Sequence, residues 1–265
     1  MGDFISRFER LELKFLVDET VVDRLRPQID LYCEPDSYNG HGTTDRNGRG
    51  GYMISSLYLD SPGLAFHQAK ERGDAERIKL RVRTYSDESP ATLEIKRRHR
   101  DVVVKRRAVV PRPDVEQLGN GGIRLSGCSA KAESTVSEFE AVMATSGAVP
   151  TLTVKYEREA YASVVDEYAR VTFDRRIEIR RTADWDLSPQ DQWCAFDNHW
   201  DTGHAQEPVV MEIKCESSIP FWVNDLIRHN QLTRLSFSKY SIGITLTDRS
   251  AGHYETRSRS ARLVS

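Results

Sequence analysis

The feature that most constrains this 265-residue chain is a set of strand-like segments whose polar positions are filled almost entirely by charge. Arg77, Lys79, Arg81 and Arg83 alternate with Ile78, Leu80 and Val82; Thr92, Glu94, Lys96 and Arg98 alternate with Leu93 and Ile95; DVVVKRRAVV follows as a third strand. Alternation at period 2 puts successive side chains on opposite faces. The turns SDESP and HRD suit antiparallel hairpins. The pattern recurs in FERLELKFLV (8–17), where Arg10, Glu12 and Lys14 oppose Leu11, Leu13, Phe15 and Val17. It recurs again in PVVMEIKCE (208–216), where Glu212, Lys214 and Glu216 oppose Met211, Ile213 and Cys215.

A single strand with one charged face is an ordinary solvent-facing strand. At least four of them, nearly devoid of Ser, Thr, Asn and Gln on that face, ask for a common cause. A like-charged column at roughly 6–7 Å spacing repels itself unless an anion or facing carboxylates neutralise it. The expected architecture is therefore α+β, mainly antiparallel β, closed into a barrel with charges pointing inward and helices packed outside. The net charge of −2 conceals the imbalance: residues 77–107 hold eleven Lys and Arg against Asp87, Glu88, Glu94 and Asp101. That segment calls for an anion.

Around these strands the pattern predicts a helix after Asp18 that Pro27 bends or divides, a strand over 52–60, a helix over 61–73, a helix over 133–147 and a long hairpin from 151–165 to 168–181. A helix follows in IPFWVNDLIRHNQ, and SFSKYSIGITL is expected to close the sheet. One domain is expected over 1–246, with a flexible C-terminal tail over 247–265. No apolar run reaches membrane-span length and the start lacks a signal-like stretch, so the expected compartment is the cytoplasm, with a membrane partner left open. Cys33, Cys128, Cys194 and Cys215 are scattered without metal or disulfide spacing, and the seven histidines share no ligand spacing. The glycine-rich stretch 39–51 lacks the Lys-Ser/Thr pair and following helix of a phosphate loop. Oligomeric state is not readable.

Arg and Lys are the side chains that hold phosphate, and carboxylates among them could hold a hard cation bridging phosphate oxygens. Glu12, Glu94 and Glu212 face inward by alternation; each is either a metal ligand or a partner for a neighbouring base. Alternation in TLTVKYER puts Tyr156 and Arg158 on the more apolar face, with Leu152 and Val154.

The segments RLELKF (10–15), SLYLD (56–60), KLRVRTY (79–85), LEIKRR (93–98), VVVKRR (102–107), VKYEREAY (154–161), RVTFD (170–174), VMEIK (210–214) and FSKYSIG (237–243) occur in an order that resembles the triphosphate tunnel metalloenzymes of the CYTH-like superfamily. Within them the closest likeness is to the VTC domain, the catalytic module of polyphosphate polymerase. The resemblance implies a catalytic set of Lys14, Arg81, Arg83, Lys96, Arg158 and Glu212, and substrate contacts from Lys105, Tyr156, Ser238 and Lys239. It implies Mn²⁺ or Mg²⁺ held by Glu212 with Glu12, and ATP and inorganic polyphosphate as partners. Where some relatives carry histidine stands Arg98, and His99 beside it points the other way. The implied reaction passes the γ-phosphoryl of ATP to a polyphosphate chain and releases ADP. Two alternatives share the charged faces: a metal-dependent hydrolase of tripolyphosphate or nucleoside triphosphates, and a non-catalytic binder of polyphosphate or inositol phosphates. Nucleic acid is not expected, because the basic strands lack interleaved aromatics.

Overall fold

The alternating segments pair into one antiparallel sheet. The computed structural model describes residues 10–40, 50–100, 102–123, 129–189, 191–196, 208–216 and 218–250. The strands are β1 (Arg10–Val17), β2 (Cys33–Pro35), β3 (Tyr52–Asp60), β4 (Glu76–Thr84), β5 (Ala91–His99), β6 (Val102–Val110), β7 (Val149–Ser163), β8 (Ala169–Arg181), β9 (Cys194–Ala195) and β10 (Val209–Glu216). The helices are α1 (Glu19–Ile29), α2 (Ala65–Arg72), α3 (Ala130–Ser146), α4 (Phe221–His229) and α5 (Lys239–Ser250), with a 3₁₀ segment at Arg112–Gly119. Asp18 caps α1 by accepting from the Val21 amide, and Pro27 stands inside that helix without dividing it.

The strand order is β1-β10-β8-β7-β3-β4-β5-β6, with β2 on β7 and β9 on β8. The expected closed barrel is therefore corrected: β1 and β6 are the two ends of an open sheet, and no ladder among the described residues joins them. The sheet is nonetheless strongly curved. β1 and β5 are six strands apart, roughly 28 Å if flat, yet Lys96 Nζ on β5 lies 3.8 Å from Glu12 Oε2 on β1. Charge alternation foretold the inward face, but backbone closure needs a partner for each edge, which alternation does not encode.

The convex face buries two apolar clusters. Leu13, Phe15, Phe173 and Met211 pack beneath α1 and α4 through Val22, Leu25, Trp222 and Leu226. Leu57, Leu80, Val82, Leu93 and Ile95 pack beneath α3 through Val136, Phe139 and Val142. The third cluster lies on the other face. There Tyr240 and Ile244 of α5 meet Ile54, Leu152, Val154 and Ile179. The segment expected as a closing strand is thus a helix laid into one end of the concave side, capped by Ser238, whose Oγ accepts from the Ser241 amide at 3.3 Å. It runs to Ser250, and the rest of the anticipated tail lies outside the described residues. Among the described residues no helix is long and apolar enough to cross a membrane.

The seating of α5 depends on Gly243, where a Cβ would lie 2.6 Å from Leu152 Cδ2 and 3.3 Å from Ile179 Cγ2. Gly243→Ala is expected to overpack this contact at a cost of about 1–3 kcal/mol. Thermal unfolding followed by circular dichroism should show a melting point several degrees lower; an unchanged one would mean that α5 is not seated so closely.

Candidate functional site

The charged face of the curved sheet is assembled strand by strand. On β4, β5 and β6 the register sets Arg81 opposite Glu94 and Glu94 opposite Arg107. One row over, Lys79 faces Lys96 and Lys96 faces Lys105; beyond that Arg77 faces Arg98. Across the cleft, β1 and β10 set Lys14 opposite Glu212 and Glu12 opposite Lys214. The middle of the face comes from β7 and β8, where Arg158 is opposite Asp174.

Tyr156 and Arg158 do lie with Leu152 and Val154, as alternation requires, and this is also the face of Arg81 and Arg83, because Ser56 pairs with both Val154 and Arg83. The conflict between apolar pattern and charged site disappears because the face is mixed: α5 covers its apolar end and leaves the charged end open.

Each carboxylate has a distinct task. Asp174 is fully buried and takes two hydrogen bonds from Arg158, at 2.6 and 2.8 Å, and one from Lys239 Nζ at 2.6 Å. Burial opposes its ionisation, but Arg158 and Lys239 hold its pKa down at about 2. Glu94 is clasped by Arg81 and by Arg107 and is likewise held at about 2 against burial, so it serves as a partner for bases. Glu212 lies 3.1 Å from Lys214 and 3.9 Å from Arg158. Burial again opposes the charge, and Lys214, Lys14, the Glu12 carboxyl and Arg158 hold its pKa well below the carboxylate range. Glu12 pairs with Lys14 at 2.8 Å, and the register places it diagonal to Glu212 on the same face.

The cations outnumber these carboxylates. Arg83 is buried, and among the described residues its partners are neutral hydroxyls, Ser56 Oγ at 3.2 Å and Tyr156 OH at 3.5 Å. Lys79 Nζ reaches Ser238 Oγ at 3.3 Å. Desolvation, then Lys14, Lys96, Arg81 and Lys70, bring its pKa down to about 7. Lys105 falls to about 8 through burial and the nearby Lys96 and Lys214. Like charges set opposite one another destabilise a sheet unless an anion enters. The N-terminus of α5, with its positive dipole end, lies at the same cleft, where Ser238 Oγ meets Lys79 Nζ.

A divalent cation can be tested against the oxygen donors. Glu12 and Glu212 stand diagonally across the β1–β10 pair on the same face, two carboxylates on one patch of the cleft. Beside them Thr172, opposite Glu212 on β8, has a buried hydroxyl with no hydrogen-bond partner among the described residues. Two carboxylates and an open hydroxyl fit a hard ion that keeps water or phosphate in its remaining positions. Among the described residues no group of three or more His, Cys, Asp or Glu forms a self-sufficient cage.

Every anticipated residue (Lys14, Arg81, Arg83, Lys96, Lys105, Tyr156, Arg158, Glu212, Ser238, Lys239 and Glu12) lies on or at the rim of this face. Asp174, Thr172 and Lys79 were not anticipated as site residues. Alternation in RVTFD carried the signal for the first two, and the Lys-x-Arg-x-Arg run for the third. His99 pairs with Glu76 at the strand end. Cys33, Cys194 and Cys215 are free thiols. Residues 41–49 of the glycine-rich stretch, Cys128, and His41, His199, His204 and His253 lie outside the described residues.

The VTC domain family model matches residues 9–247. No curated protein matches the chain. Among solved structures, a protein from Pyrococcus horikoshii is similar at 11% identity, covering 91% of this chain and 98% of that one with a TM-score of 0.44. A candidate adenylate cyclase from Vibrio parahaemolyticus is similar at 13% identity, 88% and 96% coverage and TM-score 0.45. Another from Bacillus halodurans stands at 11% identity, 87% and 95% coverage and TM-score 0.47.

Lys79 supplies a titration test. With a pKa near 7 it is largely neutral at about pH 8, and a bound polyanion should raise it, so binding inorganic tripolyphosphate takes up as much as about one proton at this site. The uptake should vanish near pH 6, where Lys79 is already charged. Calorimetry in buffers of different ionisation enthalpy measures it, and Lys79→Met should leave only the smaller uptake at Lys105, whose pKa is about 8.

Proposed function

Because the chain belongs to the VTC domain family, we propose that it is a metal-dependent polyphosphate polymerase, passing the γ-phosphoryl of ATP to the end of an inorganic polyphosphate chain with release of ADP. The observation that carries this reading is Arg83, a buried guanidinium whose hydrogen-bond partners among the described residues are the hydroxyls of Ser56 and Tyr156 and whose planar donor set fits phosphate oxygens.

Arg83, Arg81 and Arg158 hold the triphosphate from the middle of the face, with the Tyr156 hydroxyl as a further donor. Lys79, Lys96 and Lys105 hold the acceptor chain on the neighbouring row, and Lys14 and Lys239 face them from β1 and the start of α5. In the reaction the bond from the γ-phosphorus to the β–γ bridging oxygen breaks, and a terminal phosphate oxygen of the acceptor forms the new bond. That oxygen is already anionic at neutral pH, so no strong general base is required. The side chains contribute alignment and neutralisation of charge at the transferring phosphoryl. Glu212 and Glu12, with Thr172 beside them, would hold Mn²⁺ or Mg²⁺, which supplies further charge neutralisation on the phosphate oxygens. Asp174 orients Arg158 and Lys239 through its hydrogen bonds to both.

The protein incubated with ATP and Mn²⁺ is expected to yield ADP and phosphate chains longer than the substrate, resolved by gel electrophoresis. Arg83→Met should lower kcat/KM on the order of 100-fold or more, as expected for loss of a charge-assisted contact to transferring phosphate. Free phosphate with no lengthened chain would instead establish a hydrolase, and binding without turnover under any divalent cation a binding module.

A further inference from the structure

Three tyrosines from three separate segments meet at the end of the charged face away from Arg77. Tyr52 begins β3, Tyr85 follows β4, and Tyr38 stands in the segment between β2 and β3. Their ring centroids lie 5.9 Å apart for Tyr38 and Tyr52, 6.3 Å for Tyr52 and Tyr85, and 6.4 Å for Tyr38 and Tyr85, the last pair inclined by only 28°. Tyr85 is two residues beyond Arg83, on the same face of β4, and Tyr52 is opposite Arg158. The aromatic cluster therefore continues the row of phosphate-type ligands without a gap.

A cluster whose work was to anchor a loop would bury its rings. Here Tyr52 is buried, while Tyr38 is 60% exposed and Tyr85 36% exposed. The exposed rings are nevertheless held in place. Asp36 accepts from the Tyr38 amide at 3.0 Å and pairs with Arg170 at 2.5 Å, and Arg170 also donates to the Tyr52 hydroxyl at 3.2 Å. Asn39 exchanges two hydrogen bonds with Ala160 on β7, at 2.7 and 3.0 Å. The platform is pre-ordered by the sheet, which lowers the entropy cost of binding to it.

Exposed aromatic surface next to a cationic row is the combination that receives a base and its phosphates together. We propose that Tyr38, Tyr52 and Tyr85 form a nucleobase seat, on which the base of a nucleoside triphosphate stacks while its phosphates extend along Arg83 and Arg81 toward Lys79. This rests on the nucleotide-dependent reading of the site and adds a direction to it. The base occupies the Tyr85 end, and the lengthening chain leaves past Arg77 and Arg98. Stacking accepts any π-face, so adenine and guanine nucleotides should bind with similar affinity.

The test compares a non-hydrolysable ATP analogue with inorganic tripolyphosphate by calorimetry, on the wild type, Tyr38→Ala, Tyr85→Ala and Tyr38→Phe. Both exposed positions tolerate truncation without loss of core. The alanine variants should weaken the analogue about 5- to 150-fold, the loss per base seen when a stacking ring is removed. Tripolyphosphate should bind all four within about twofold, and Tyr38→Phe should behave as wild type. Equal loss of both ligands, no loss of either, or a phenylalanine variant as weak as alanine would overturn the seat. A wild type that binds the analogue, shows this selective loss and yet never lengthens a chain would keep the seat and discard the polymerase. A wild type that binds neither ligand would discard both.

Discussion

Everything on the concave face depends on one buried carboxylate answering two cations. Asp174 on β8 fixes Arg158 on β7 and Lys239 at the start of α5. Without its charge, two cations would sit in a low-dielectric interior next to Lys14, Lys214 and the arginines of β4, and breaking such a buried set commonly costs about 3–5 kcal/mol. The same contact ties the helix to the sheet, so the electrostatic arrangement and the seating of α5 are one structural fact. Glu94 plays the matching part on the far wall between Arg81 and Arg107. These two acids neutralise the flanks, and among the described residues Arg83 and Lys79 hydrogen-bond to hydroxyls rather than to carboxylates, so the positive potential is concentrated in the cleft.

Much of this was legible from residue order. The two-residue period of LEIKRR and MEIK assigned Glu94, Lys96 and Glu212 to the inner face, and the register confirms their company. What failed was global. SFSKYSIGITL has short apolar runs compatible with either a strand or a helix turn, and the deciding contacts, Tyr240 and Ile244 against Leu152 and Val154, come from residues some ninety positions away. Once that segment is a helix, no strand among the described residues is left to bridge β1 and β6. The apolar character of Leu152 and Val154 then has its explanation in the helix that covers them, and Tyr156 and Arg158 can share their face and still reach the site.

The aromatic cluster was beyond local pattern for a different reason. Tyr38, Tyr52 and Tyr85 belong to no common strand, and the absence of aromatics within the basic strands correctly described those strands while saying nothing about what packs at their ends. Thr172 was similarly silent: a threonine in a strand is ordinary, and only its orphaned hydroxyl beside Glu212 distinguishes it.

The open edge between β1 and β6 has a mechanical consequence. A ring of strands joined by backbone hydrogen bonds has a fixed circumference and admits a polymer only by threading a free end. Here the two walls touch through side chains such as Lys96 and Glu12, 3.8 Å apart, contacts that exchange readily with water and counterions. Such a seam can part and reseal without unzipping a ladder. On the proposed reading of the site, a long anionic chain would be laid in sideways rather than threaded, with the cations of both walls closing over it.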